Sequence, residues 1–599
     1  MQPSSPRRFS FRCGIIGASG LGKPIVAAAA LLCAGIAQAA NTPPRFPLPR
    51  QTRDPIRLAP PLVQDVPADD AQAARFLTMA TFGPTPAAIA ELRQLGYHAW
   101  IAKQLTTPAT PMRPYVESLD KAVQNPGQND RIEAWFNNAV TAPDQLRQRV
   151  AWALSQILVV SDQFAGLNQD PIALAEYDDM LARDVGGWTD ANGVAHAPTF
   201  SNLIYDVTLS PAMSKMLTYL RNQKGDSSKG TSPDENYARE VMQLFTIGLV
   251  LLNPDGSQKL DTNGQPIPTY PQAAVSAYAR IFTGWSYSTG FNSNPLNYQN
   301  WSVAEYQPLV CYDTYHDFGA KTLISYSGNY GTNSDALGVP ANNSCSADMQ
   351  QGLAILVNHP NTAPFISKQL IQRLVTSNPT PAYVSRVSVV FASSGGDLSK
   401  VVTAILTDSE ALSGTLPAQY AATYSFGKAR EPLLKLTALW RYYHAAASVG
   451  LYTFNNPQNG YAERPLGASS VFNFYSPFYA PPGEIADSGL VAPEFQIINE
   501  STVAASANDL TARSNAYVGN SGNKPETIAI DLSSLTAIAN DANAMADQIN
   551  HDLLYGRMSA AMKASLVKMI NAIPATSAVT RAQAALQLTL ISPEFAIQK

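Results

Sequence analysis

Histidine, cysteine and charge are all scarce along these 599 residues, and each shortage removes a class of answer. Charged side chains make up 14% of the chain, low for a cytosolic enzyme, while 45% hydrophobic content is ample for a large core. No basic run occurs and the formal net charge is −4, so nucleic acid is a poor partner. Past the N-terminal region no apolar run approaches the roughly 20 residues that cross a bilayer, which leaves no stable membrane span. Hydrolase signatures are missing as well. No G-x-S-x-G or H-E-x-x-H follows the first forty residues, and no cysteine has a nucleophile's context. No convincing internal repeat is present, which argues against a solenoid.

What is present starts at the N-terminus. Arg7, Arg8 and Arg12 precede the apolar run "PIVAAAALLCAGIAQAA", and Ala37-Gln38-Ala39 has the small-residue pattern of a cleavage site. Residues 1–39 therefore read as a signal peptide; a bare membrane anchor is the competing reading. The paired Arg7-Arg8 points to twin-arginine export, but Ser10 stands where that signal prefers Phe, so the Sec route stays open. A lipoprotein at Cys33 is disfavoured by the bulky Leu32 before it. "GASGLGKP" imitates a phosphate loop, yet Pro24 replaces the hydroxyl residue, no strand precedes it, and it lies in the leader. The leader carries four basic residues and no acid, so its removal moves the net charge from −4 to −8. The expected location is the periplasm or the extracellular space. There Cys311 and Cys345, the two cysteines left, favour pairing over separate burial.

Residues 40–70 are Pro-rich and aperiodic, a tether. From Ala71 the texture turns helical. In "TPAAIAELRQLGY", Thr85 can cap, Pro86 suits the first helical position and Gly96 the stop. "DQLRQRVAWALSQILVVSD", "TAPFISKQLIQRLV", "LSKVVTAILTDSEA", "EPLLKLTALWRYYHAA" and "AAMKASLVKMINAIP" read as further helices. Asp255-Gly256 and Asn263-Gly264 flank a short polar run and predict a β-hairpin; their loose calcium-loop rhythm lacks the closing Glu. Residues 71–599 thus read as mainly α: a large multi-helix domain with a small β-hairpin and an irregular Tyr/Asn-rich insertion at about 286–345.

The stretch "SPDENYAREVMQLFTIG" (232–248) concentrates charge on one helix. With Ser232 as cap, Pro233 opens the helix and Glu235 completes a capping box. Glu235 lies four before Arg239, a favourable pair, and Gly248 ends the helix. Glu240 is left over. It sits beside the apolar face formed by Tyr237, Val241, Leu244 and Phe245, where a carboxylate needs an ion-pair partner, a hydroxyl or a metal.

"DENYAREVMQLFTIG", "ARIFTGW" (279–285), "HDFGAKTL" (316–323), "HPNTAPFISKQLIQRLV" (359–375) and the terminal "LISPEFAIQ" together resemble the bacterial exported family catalogued as domain of unknown function 1800. The resemblance runs in order from about Ala71 to the C-terminus and implies a largely helical secreted or periplasmic protein. It also implies a plausible partner, an exported sulfatase-like protein of the domain of unknown function 1501 family. No established activity comes with it. Members often carry His where Phe245 stands and an acid where Gln243 stands, and many show a His-bearing aromatic run where Arg149 leads into "VAWALSQILVVSD" here. A shared metal site is weakened accordingly.

Six histidines are present: His98, His196, His316, His359, His444 and His551. His316 and His359 lie in motifs, and with Glu240 they make the candidate metal set; Glu240, His316 and Asp317 make the candidate acid–base set. The competing account has them as turn and cap residues. No cofactor is clearly indicated. The insertion and "VFNFYSPFYAPPGE" (471–484) supply aromatic side chains beside Asn and Ser, so Tyr287, Trp301, Tyr312, Phe474 and Tyr475 are candidate contacts for a glycan, a polymer or a protein partner. The competing account has them closing loops over the core. Two functions follow: an exported binding or scaffold protein with an exposed aromatic surface, or a secreted hydrolase, metal-dependent or not, acting on an ester or glycan polymer.

Overall fold

Small polar caps and prolines set where the helices begin. Thr85 accepts from the Ala88 amide ahead of helix Pro86–Leu95, and Thr380 and Ser592 repeat the device before Pro381 and Pro593. The computed structural model describes residues 65–599 apart from 124, 165, 289–297, 301–304 and 422, with the backbone alone at 120–123. The expected signal peptide and most of the tether lie outside the described residues. The protein is mainly α, with 25 α-helices and four two-stranded antiparallel sheets among those residues. No described helix is long and apolar enough to cross a membrane.

Two helices form the centre. Every residue of Gln145–Ser155 and of Pro432–Tyr442 is buried, the mark of a helix covered on all sides. One hydrophobic cluster runs from Ala73 to Phe595 and includes the fully buried Trp100 and Trp440. Helix Pro432–Tyr442 presses on the loop at Gly83 so closely that an added Cβ there would stand 2.6 Å from Ala438 Cα. Gly83 also has φ +133, so glycine is required twice over. Strand β7 (Lys428–Ala429) leads into that helix and pairs with β8 (Ile597–Gln598), which ties the C-terminus to the centre.

Cys311 and Cys345 are disulfide-bonded, with Cα atoms 5.9 Å apart. The bridge joins β4 (Val310–Cys311), itself paired with β3 (Trp285–Ser286), to the first turn of helix Cys345–Val357.

Two local expectations are corrected. The helix expected from Ser232 begins at Asn236 and ends at Gln243, so Ser232 caps nothing and the capping box does not form. Asp234 N bonds instead to Asn222 Oδ1 at 2.8 Å, and Asp234 Oδ1 accepts from Asn236 N at 2.8 Å. The Glu235–Arg239 pair does form, at 3.0 Å. The hairpin near 250–268 reduces to isolated bridges, Val250–Pro268, Leu252–Gln258 and Leu260–Pro266. Its turns are built as expected, with Gly256 and Gly264 left-handed, but Pro266 and Pro268 lack the amides a longer ladder needs.

Candidate functional site

The "HDFGAKTL" motif folds into a knot between helices Gln272–Ile281 and Cys345–Val357. Buried His316 places Nδ1 2.9 Å from Thr283 O and Nε2 3.1 Å from Asp348 Oδ2. Lys321 Nζ reaches the same Asp348 oxygen at 2.5 Å and donates to Gly319 O at 2.9 Å. Burial opposes the Asp348 charge, but His316 and Lys321 outweigh it and hold the carboxyl below its usual range. Asp317 faces away and pairs with Arg280. His359 Nδ1 accepts from Asn361 N at 3.0 Å, and burial holds its imidazole down to about 4, so the ring is neutral. Asn361 in turn donates to Ile247 O at 2.8 Å and Val250 O at 2.7 Å.

Glu240 stands apart. It is 7% exposed, its Oε2 is buried with no hydrogen-bond partner among the described residues, and burial pushes its carboxyl up to about 7. The phenol of neighbouring Tyr270, which feels the Glu240 charge, is likewise without a partner.

The expected metal set is therefore corrected. Among the described residues one group of three His, Cys, Asp or Glu side chains brings its ligand atoms within 4.8 Å of one another, Cys311–Asp313–Cys345, and its two sulfurs are bonded together. Glu240, His316 and His359 do not converge, because each imidazole already braces its own loop.

The aromatic surface is corrected as well. Tyr287, Tyr312 and Tyr475 are fully buried, and Phe474 is half-buried beside Trp152. Tyr312 Oη donates to Tyr287 O at 3.0 Å, and Tyr475 Oη bonds Gln156 Oε1 at 3.0 Å under the Arg373 guanidinium. A phenol with an interior partner belongs in a core. Trp301 lies outside the described residues. Phe472 and Phe478 are exposed instead.

Tyr475 marks a buried ion network that the sequence did not reveal. Glu431 Oε2 accepts from Trp152 Nε1 at 2.6 Å and Gln156 Nε2 at 2.8 Å. Its Oε1 lies 3.2 Å from Lys428 Nζ and 3.7 Å from Arg149 Nη2. Lys428 also pairs with Glu494 at 3.0 Å, and Glu463 Oε2 accepts from Leu433 N at 3.1 Å. All of these ionisable groups are buried, and the network links helix Gln145–Ser155 to Glu431, the residue that precedes helix Pro432–Tyr442.

An open site lies elsewhere, beside helix Pro171–Val185. A cavity of about 510 Å³ is lined by Arg113, Arg147, Glu176, Asp179, Arg183 and Trp188 among others. Glu176 Oε2 accepts from Arg113 Nε at 2.6 Å and its Oε1 from Arg183 Nη1 at 3.1 Å. Asp179 accepts from the Met112 and Arg113 amides at 2.6 and 2.9 Å, and caps the helix Arg113–Val123 from outside. Arg147 donates to the carbonyls of Arg183 and Gly187 at 3.0 and 3.2 Å. It lies so close to Gly186 that a Cβ there would stand 2.4 Å from its Cζ. Arg183 stacks on Trp188 at 4.1 Å, and the His196 ring lies parallel to the same indole at 4.1 Å. Behind the wall, burial and the neighbouring Asp206 push Asp184 up to about 8.

Chemically this is a wall of alternating guanidinium and carboxyl groups that hold each other in place. It offers donors and acceptors to a polar ligand. Sequence reasoning missed it, although Glu176, Asp179 and Arg183 stand at i, i+3 and i+7 on one stripe of the helix, which carries Asp178 and Asp184 as well.

No curated protein and no solved structure matches this chain. Residues 75–597 match the family described as "Protein of unknown function (DUF1800)", and the chain belongs to that family.

Proposed function

We propose that this is an exported binding protein acting with a partner in the bacterial envelope or outside the cell, and that the cleft beside helix Pro171–Val185 holds a glycan or similar polymer. The observation that carries the reading is Glu176, fixed between Arg113 and Arg183 on the wall of a cavity of about 510 Å³. Side chains already locked by ion pairs lose little further freedom on binding, and each pair keeps spare donors and lone pairs for ligand hydroxyls. Export is supported by the leader-like first 39 residues and by the Cys311–Cys345 bond, which suits an oxidising compartment. The family resemblance supports a sulfatase-like exported protein of the domain of unknown function 1501 family as the partner.

The test is calorimetric titration of the protein lacking residues 1–39 with a panel of neutral and acidic oligosaccharides. Binding by the intact protein, weakened at least tenfold in Arg183→Gln and Glu176→Gln, is the expected result. A panel with no binder, or binding indifferent to both substitutions, removes the cleft from consideration.

A secreted hydrolase remains the second reading because of Glu240. A carboxyl pushed up to about 7 exchanges its proton near neutral pH, which suits a general acid or base. Polymer cleavage that falls a hundredfold in Glu240→Gln, with binding retained, would favour this reading over the first.

A further inference from the structure

Arg430 follows Lys428–Ala429 and is 1% exposed, yet none of its three guanidinium nitrogens makes a hydrogen bond of full geometry among the described residues. Its Cζ lies over the Phe595 ring, 4.5 Å from the centroid. The Tyr555 phenol is the polar group that acts on it, close enough for a loose hydrogen-bonding contact but short of full hydrogen-bond geometry. Around it stand further cations from separate elements: Lys435 of helix Pro432–Tyr442, Arg557 just beyond the π-helical turn Asn550–Leu554, and, next to Arg557, Arg75 of helix Asp70–Ala80. Tyr555 ends that turn in a left-handed conformation at φ +55, which places Arg557 beside the cluster.

Carboxylates do not balance these charges. Glu463 is the acid acting on Lys435, but burial and Glu431 push it well up, so it keeps its proton. Glu594 acts on Arg557 and gives one oxygen to the Ser559 amide at 3.0 Å. Burial and Arg430 together drive Lys435 down to about 8, the direction expected of a cation among cations. A buried guanidinium with no counter-charge among the described residues, and only a loosely placed phenol beside it, is strongly unfavourable, so the arrangement calls for an anion that the described residues do not supply.

We propose that Arg430, Lys435 and Arg557, with Arg75 at the edge, form a binding site for a tetrahedral oxyanion, phosphate or sulfate, either free or as an ester on a larger molecule. A guanidinium fork fits two oxygens of such a group, an ammonium serves as a point charge for a third, and the half-buried Arg557 and Arg75 give the site an outer edge. This site shares no residue with the cleft, so either proposal can fail alone.

The experiment uses the protein lacking residues 1–39, dialysed into chloride, and titrates it calorimetrically with inorganic phosphate and then sulfate at constant ionic strength. One site is expected, weakened about tenfold in Arg557→Gln and in Lys435→Gln and lost in Arg430→Gln. Should Arg430→Gln fail to fold, the two less buried variants carry the test. Ion chromatography of the acid-denatured protein covers an anion that never exchanged, where one equivalent per chain supports the site. Neither binding nor a released anion, or binding unchanged in Arg557→Gln and Lys435→Gln, overturns it. A phosphate monoester of a sugar that binds more tightly than phosphate marks an ester as the ligand, while equal or weaker binding marks the free ion.

Discussion

Arg280 and Asp317 meet as a two-pronged pair, with Nε 2.8 Å from Oδ2 and Nη2 2.9 Å from Oδ1. Burial works against the Asp317 charge, yet the guanidinium outweighs it and the carboxyl sits below its usual range. A residue so engaged anchors a loop. Asp317→Asn should lower stability by about 1 kcal/mol, at the modest end because the pair is partly solvated. Arg280→Lys should not mimic the native residue, since an ammonium cannot make both bonds. A double-mutant cycle in urea measures the coupling; zero coupling would refute the anchoring role.

Glu240 makes stability depend on pH. Burial lifts it from 4.5 to about 7, so the folded state binds the proton more tightly than the unfolded chain. Stability therefore falls as pH rises from 4.5 to 7 and stays reduced above that, by about 1–3 kcal/mol. Glu240→Gln should match the native protein at pH 4.5 and exceed it at pH 8. His359 acts in the opposite sense: with its imidazole at about 4 when folded and 6.5 when free, it removes stability as pH falls through that interval. Melting curves of the native protein, Glu240→Gln and His359→Gln from pH 4 to 8 separate the two contributions.

Two glutamates of the buried network should respond very differently to the same change. Burial opposes ionisation of Glu431, but Lys428 and Arg149 outweigh it and hold the group at about 2. Its contribution is present above 4.5 and lost as pH falls toward 2. Glu431→Gln leaves Arg149 without its counter-charge and should cost about 3–5 kcal/mol. Glu463, kept protonated by burial and by Glu431, should tolerate Glu463→Gln with a loss under about 1 kcal/mol. Equal losses in denaturant melts would contradict an ionised Glu431 beside a protonated Glu463.

Breaking the Cys311–Cys345 bond opens a loop of sequence separation 34 and should cost about 3–4 kcal/mol in the chain-entropy account. Cys311→Ser with Cys345→Ser should reproduce the melting shift caused by reductant in the native protein. A reductant effect that persists in the double variant would place the sensitivity elsewhere.

Local signals in this sequence are readable where one helix turn decides the outcome. Thr85-Pro86 and Gly96 mark a helix that the structure places at Pro86–Leu95. At Ser232 the same logic fails, because Asn222, ten residues earlier, supplies a hydrogen bond that competes with the cap. The charges of the motifs can be named from sequence, but their partners cannot. Asp348 lies 32 residues from His316, and Glu431 lies 282 residues from Arg149, separations that only the packed chain brings together. The tyrosines carry a different ambiguity: a ring with a hydroxyl suits a surface or a core equally well until its partner, such as Gln156 for Tyr475, is known. The cleft has no motif, only a charged stripe on a helix whose further acids, Asp178 and Asp184, turn inward.

The ladder between β7 and β8 has a practical side. Gln598 is buried, and its amide donates to Leu374 O at 2.8 Å, one position before the terminal lysine. Gln598→Ala, which removes that amide, would loosen the clasp beside Arg430 and Phe595, so a change at one strand far along the chain should be felt at the helix that fills the protein's centre.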